Sequence, residues 1–205
     1  MSRPADEHRF GAAEFLEWEA AQPVKHEFVD GEVFAMAGAS DAHVTIALNL
    51  AIALRNHFRG GPCSVFIPDM KLRVEADDAY YYPDVFVSCA ESDRAHTHWK
   101  AEPVFVAEVL SPSTSANDRG CKFASYRKLA SLAEYAVIDT ERQAVDLFRR
   151  MGDGSWLLFP IEGGGTLELA SLKLRVPLDE LYVDVRLDPP TPGPDDSVRW
   201  PPAAA

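Results

Sequence analysis

The chain has 205 residues, 47% of them hydrophobic, enough for one well-packed core and too few for two. Its formal charge of -12 argues against a bulk electrostatic binder of nucleic acid, since such proteins gain affinity by releasing counterions from many phosphates. No apolar run approaches the roughly 20 residues that span a bilayer, and the amino terminus, MSRPADEHRF, is polar, so a soluble, unsecreted, cytoplasmic protein is expected.

Residues 11–21 (GAAEFLEWEAA) read as a short amphipathic helix closed by Pro23. HEFVDGEVFAMA then reads as a hairpin whose Asp30-Gly31 turn tolerates positive φ, with Glu27 on its first arm. The longest helix is predicted over about 41–58, capped by Asp41, with Val44, Leu48, Ala51 and Ile52 at helical spacing, His43 in the first turn and Gly60-Gly61 at the end. CSVFIPDMKLRV, AYYYPDVFVSC and PVFVAEVLS read as three strands of one twisted sheet. A helix from about Asp118 to Leu132 follows the proline-punctuated SPSTS and carries Arg119, Lys122, Arg127 and Lys128 against Asp118 alone, a basic element able to receive a phosphate on an acidic body. EYAVIDT and QAVDLFRR add two strands, and β-rich sequence continues to about Tyr182. The expected organisation is one mixed α/β domain over 1–185 and a loose, Pro-rich tail over 186–205. Cys63, Cys89 and Cys121 form no CxxC pair, so neither a disulfide framework nor a zinc ribbon is indicated, and reduced, mostly buried thiols are expected.

Strand alternation in PVFVAEVL puts Glu108 on a face shared with Val104, Val106 and Leu110. An ionised carboxylate in so apolar a strand needs a cation, a metal or strong donors, and an ordinary ion pair is the plain alternative. Asp84 lies at the start of the preceding strand. If the two strands run antiparallel, Asp84 and Glu108 meet, and two like charges at one place call for a divalent cation. Oxygen ligands favour Mg2+ or Mn2+. Lys122 has a stem long enough to return an ammonium group to this pair, although a lone helix lysine is more often merely solvated.

HEFVDGEV at 26–33, His43, YYPDVFV at 81–87, FVAEVLSPST at 105–114 and DRGCKFASYRKLASLAEYAVID at 118–139 together resemble the Uma-two endonuclease family, within the restriction-endonuclease-like PD-(D/E)xK superfamily. The resemblance spans most of residues 11–182. It implies an αβββαβ core, a central mixed sheet flanked by helices, with extra strands at the C-terminal end. It further implies Asp84, Glu108 and the Val109 backbone carbonyl as metal ligands, Lys122 positioning or activating the nucleophile, and Glu27 as an auxiliary acid. The superfamily's usual spacing puts lysine two residues after the glutamate, where this chain has Leu110, so Lys122 stands as a migrated equivalent. His43 is a further candidate, as base or phosphate contact, against the alternative of a structural hydrogen bond.

The implied activity is metal-dependent hydrolysis of DNA phosphodiesters, by a homodimer because cutting both strands is easiest with two related sites. The alternatives are a catalytically silent nuclease-fold module that binds nucleic acid or protein, and a metal-dependent hydrolase of a small phosphorylated compound. Other signals are assigned no chemistry. His96-Thr97-His98 reads as a surface loop, and Ser111, Ser113 and Thr114 lack a nucleophile elbow and shape the loop before the basic helix. Gly163-Gly164-Gly165 reads as a turn, and Tyr80, Tyr81 and Tyr82 as packing.

Overall fold

The structure, a computed structural model, describes residues 10–36, 38–110 and 118–188. Ser111, Ser113, Thr114, most of the 186–205 tail and the first nine residues therefore lie outside the described residues, as do the side chains of Asp118 and Arg119.

In chain order, α1 (Ala12–Glu19) leads to the hairpin β1 (His26–Val29) and β2 (Glu32–Ala35). Asp30 and Gly31 turn it with φ of 46° and 87°, the left-handed pair that a two-residue turn needs to match strand twist. The long helix α2 (Asp41–His57) follows, then β3 (Ser64–Phe66), β4 (Lys71–Val74), β5 (Ala79–Tyr81), β6 (Val85–Ser88), β7 (Trp99–Lys100) and β8 (Pro103–Val109). After a π-helical turn (Asp118–Lys122) come α3 (Phe123–Tyr126), β9 (Glu134–Ile138), β10 (Ala144–Arg150), β11 (Trp156–Glu162), β12 (Thr166–Leu169), β13 (Leu174–Pro177) and α4 (Leu178–Leu181). Gly163-Gly164-Gly165 is the turn between β11 and β12.

These strands form not one sheet but two larger ones and a small hairpin. The six-stranded sheet runs β11-β10-β9-β8-β6-β3 and is antiparallel except for the parallel β8–β9 pair. The five-stranded sheet runs β2-β1-β5-β4-β7, and β12–β13 stand apart. Pro68 and Pro83 account for the correction. Each interrupts what reads as a continuous strand, and proline removes a ladder donor and restricts its predecessor. The two halves of each segment consequently enter different sheets: β3 and β6 join the six-stranded one, β4 and β5 the other.

The six-stranded sheet separates two packed layers. On one face Val85, Val87, Phe105, Ala107 and Val109 meet Ile46, Leu50 and Leu54 of α2 and the residues of β12, β13 and α4. On the other, Phe86, Val106, Tyr135 and Val137 meet Tyr126 and the five-stranded sheet through Leu72, Val74 and Tyr81. Phe15 of α1 closes a smaller cluster with Phe28 and Tyr80.

Four further expectations are corrected. The face of α2 that enters the core is Ala42, Ile46, Leu50 and Leu54, whereas Val44, Leu48 and Ile52 are exposed; the helix has two apolar stripes, and spacing alone does not choose between them. Ser40, not Asp41, is its N-cap, accepting from the His43 amide at 3.2 Å. The basic helix after β8 is short, because the chain makes a π turn, one turn of α-helix and then loose turns up to Leu132. The cysteines are neither all reduced nor buried: Cys63 and Cys89 are disulfide-bonded, Cys63 just before β3 and Cys89 just after β6, because the Ser64–Ser88 register brings them opposite one another. Cys121 is a free, exposed thiol.

Candidate active site

Antiparallel pairing of β6 with β8 sets Val85 against Ala107, and one step further the register puts Asp84 opposite Glu108. Opposed residues project to the same side of a sheet, so both carboxylates leave the strand ends together. Pro83 ends β5 and turns the chain so that Asp84 sits at the first step of β6 rather than inside a ladder.

Asp84 is 8% exposed. Its Oδ2 accepts the Val109 N–H at 2.8 Å, and its Oδ1 lies 2.9 Å from His43 Nε2. The Ser40 cap fixes the first turn of α2, which is how His43 is delivered to this point. The N–H and C=O of one strand residue point the same way, so the Val109 carbonyl also faces the β6 side, beyond the end of that strand.

Glu108, 2% exposed, is held differently. Tyr126 donates its hydroxyl to Glu108 Oε1 at 2.8 Å, and Lys122 Nζ stands 3.4 Å from the same oxygen. Lys122 Nζ is also 2.8 Å from Glu27 Oε1, and that carboxylate accepts the Tyr82 amide at 3.3 Å. Tyr82 in turn donates its hydroxyl to Glu19 Oε1 at 2.9 Å, and Glu19 accepts the His26 amide at the same distance. A continuous polar chain thus runs from the end of α1 through β1 to α3. Burial, reinforced by the negative charge of Glu108, raises the Tyr126 hydroxyl well above its ordinary pKa, so it remains a donor. Burial also raises Tyr82, followed by its bond to Glu19.

Glu27, His43, Asp84, Glu108 and Lys122 all line one cleft of about 1280 Å³, and the structure brings all five together. Its walls are largely apolar, including Val24, Phe34, Val44, Leu48 and Ile67, and the basic side chains among its described lining residues are Lys25 and Lys122. Lys25 is itself paired with Asp69. No group of three or more His, Cys, Asp or Glu residues among those described makes a ready metal cage. A magnesium-type site does not require one, since that ion takes one or two carboxylates and keeps its waters. At their formal charges Glu27, Asp84, Glu108 and Lys122 together carry a net charge of -2 among the described residues, which suits a divalent cation.

Sequence reasoning puts Tyr126 on the turn after Lys122 and reads Tyr82 as packing, but gives neither of them, nor Glu19, a role in the site. Tyr126 lies four residues after Lys122, one helical turn away on the same side, and that spacing is a usable signal. Glu19 has none, being the last residue of an amphipathic helix. His96 stacks on Trp99 with ring centroids 3.6 Å apart, away from the cleft, and Tyr80, Tyr81 and Tyr82 are buried.

A mixed sheet flanked by helices, carrying paired acids at the ends of adjacent strands, is the nuclease-like, restriction-endonuclease-like architecture. The chain belongs to the Uma2 family, described as "Putative restriction endonuclease", whose pattern matches residues 12–179. Two Synechocystis sp. (strain ATCC 27184 / PCC 6803 / Kazusa) proteins are similar to it. The protein slr1290 is 38% identical over 82% of this chain and 89% of its own length, and sll1609 is 34% identical over 80% and 94%. Among solved structures, a "putative nuclease belonging to DUF820" from Anabaena variabilis ATCC 29413 shares the fold, with a TM-score of 0.67 and 17% identity over 85% of this chain and 98% of that one. No described helix is long and apolar enough to cross a membrane.

Proposed function

We propose that the protein is a divalent-metal-dependent endodeoxyribonuclease of the PD-(D/E)xK type, hydrolysing a DNA phosphodiester to a phosphomonoester and a free hydroxyl. Asp84, Glu108 and the Val109 carbonyl would hold Mg2+ or Mn2+. When bound, such a cation supplies electrostatic stabilisation of the developing phosphoryl charge and lowers the pKa of water.

The observation that carries the reading is the position of Lys122. It is fourteen residues after Glu108 in the chain, yet its ammonium group stands 3.4 Å from the Glu108 carboxylate. The superfamily's lysine acts through where its charge sits, and a lysine supplied by the following helical turn meets that need. Glu27 holds the ammonium from the other side, so its direction is fixed before substrate arrives. Tyr126 pins Glu108, and the Val109 amide with His43 pins Asp84, leaving neither carboxylate to swing away from the cleft.

One observation favours a second reading, a hydrolase of a small phosphorylated compound. The cleft walls are apolar and offer few cations to track a phosphate backbone. The experiment that decides is cleavage of supercoiled plasmid, single-stranded DNA and a small phosphodiester by the intact protein, with Mg2+, with Mn2+ and with chelator. Metal-dependent plasmid nicking abolished by Lys122→Ala supports the nuclease. Turnover of the small ester without any DNA cleavage selects the second reading, and no turnover with any substrate rejects both.

A further inference from the structure

The outer face of α2 carries an apolar pattern that the buried core does not use and that extends beyond the cleft wall. Val44, Leu48 and Ile52 are each about half exposed, one helical turn apart, on the side opposite the buried Ala42, Ile46, Leu50 and Leu54. Asp41 and Arg55, both exposed, bracket the stripe, each seven residues from Leu48. At 100° per residue all five fall within about 80°, less than a quarter of the helix circumference, along a length of about 21 Å. Phe34, Val24 and Ile67, also half exposed, widen the apolar surface toward the cleft mouth.

This pattern is symmetric about Leu48. Turned end for end, it presents Ile52 where Val44 stood and Arg55 where Asp41 stood. We propose that α2 pairs antiparallel with α2 of a second copy of this chain, about a two-fold axis at Leu48. Leu48 then meets its own copy, Val44 meets Ile52, and Asp41 meets Arg55 at both ends. An isologous interface requires such self-complementarity, because one patch must fit itself after rotation. A parallel arrangement fails on charge, setting Asp41 against Asp41 and Arg55 against Arg55. A body of net charge -12 repels its own kind, so contact between copies needs an apolar strip with locally opposite charges, and this face supplies both. Shallow antiparallel crossing keeps side-chain contact along the whole stripe. Because Val44 and Leu48 also line the cleft, each copy would border the cleft of the other.

The inference stands apart from the nuclease reading, since oligomeric state is measured without substrate or metal. Sedimentation equilibrium of the full chain is expected to give twice the 22.6 kDa chain mass. Leu48→Asp, which sets two carboxylates at the axis, is expected to weaken the dimer at least ~30-fold while the circular dichroism spectrum is unchanged. Asp41→Arg or Arg55→Asp alone is expected to weaken it ~10-fold, and the double variant to recover most of that loss, a result peculiar to the antiparallel register. A wild-type chain that stays monomeric overturns the proposal and leaves the stripe to another protein or to the apolar part of a ligand. A dimer indifferent to Leu48→Asp, or a double variant no better than the single ones, overturns it equally.

Discussion

Asp84 and Glu108 end neighbouring strands at the same height, and the protein holds them by opposite means. Asp84 is fixed by a backbone amide and an imidazole, groups that need carry no net charge. Glu108 is embedded in a chain of ionised and phenolic partners, sharing one lysine with Glu27 and bonded to a buried tyrosine. The difference divides the labour: among the described residues Asp84 is held by an amide and an imidazole rather than by a lysine or arginine, and the Glu108 corner fixes where the positive charge of Lys122 sits. Under the proposed reading, a divalent cation held by both carboxylates would add positive charge on the Asp84 side while Lys122 keeps its place beside Glu27 and Glu108.

The sharpest way to break this comparison is to neutralise each acid without changing its size. Asp84→Asn and Glu108→Gln are both expected to lower metal-dependent cleavage by at least ~10²-fold, measured as plasmid nicking. A variant of either that cleaved normally would remove that residue from the cation's partners.

Lys122→Met should separate the two corners by stability as well as rate. It leaves the partly buried Glu27 and the buried Glu108 without their shared cation, and a loss of about 3 kcal/mol is expected from urea unfolding, because a broken buried pair strands its charges. Asp84→Asn keeps an oxygen for the Val109 amide and should cost far less. Equal losses in the two variants would mean that Lys122 does not neutralise its neighbours.

A smaller effect is expected from Tyr126→Phe, which removes one donor from Glu108 and should reduce cleavage by about 10-fold. Since burial and the charge of Glu108 hold the hydroxyl protonated, the alkaline limb of the pH-rate profile should be the same in wild type and variant. A limb that disappears in Tyr126→Phe would show the phenol titrating in the working range.

The smallest expected effect concerns the support behind α3. Asp77 joins Ser125 at 2.6 Å and pairs with Lys128, tying the turn before β5 to the helix that carries Tyr126. Burial pushes the Asp77 carboxyl up, but the Lys128 and Ser125 hydrogen bonds outweigh it and hold the folded value below the ordinary 3.8. The stability this group confers is therefore present above the unfolded value and lost as pH falls through the lower folded one. Unfolding of wild type and Asp77→Asn should differ at neutral pH and converge in acid; a difference that grows toward low pH would contradict the assignment.

Much of the fold is legible in local chemistry. The Asp30-Gly31 turn, the limits of α2 and the alternation in β8 all follow from backbone preference and hydrophobic period. What escapes is decided by tertiary contact. Both stripes of α2 have helical spacing, and only the sheet packed against Ile46 and Leu50 selects one. Cys63 and Cys89 are 26 residues apart, and only the β3–β6 register makes them neighbours. The acids of the site are conspicuous because a carboxylate in an apolar strand asks for a partner. Tyr126 and Glu19 are not, because a buried tyrosine and a helix-end glutamate look ordinary until their hydrogen bonds are drawn.

The most direct test of the shared-cation account is calorimetric titration of Mn2+ into the wild-type protein and into folded Asp84→Asn and Glu108→Gln. Saturable binding by the wild type that is lost in both variants is the predicted result. Binding retained at full strength in either variant, or no binding by the wild type, would contradict it.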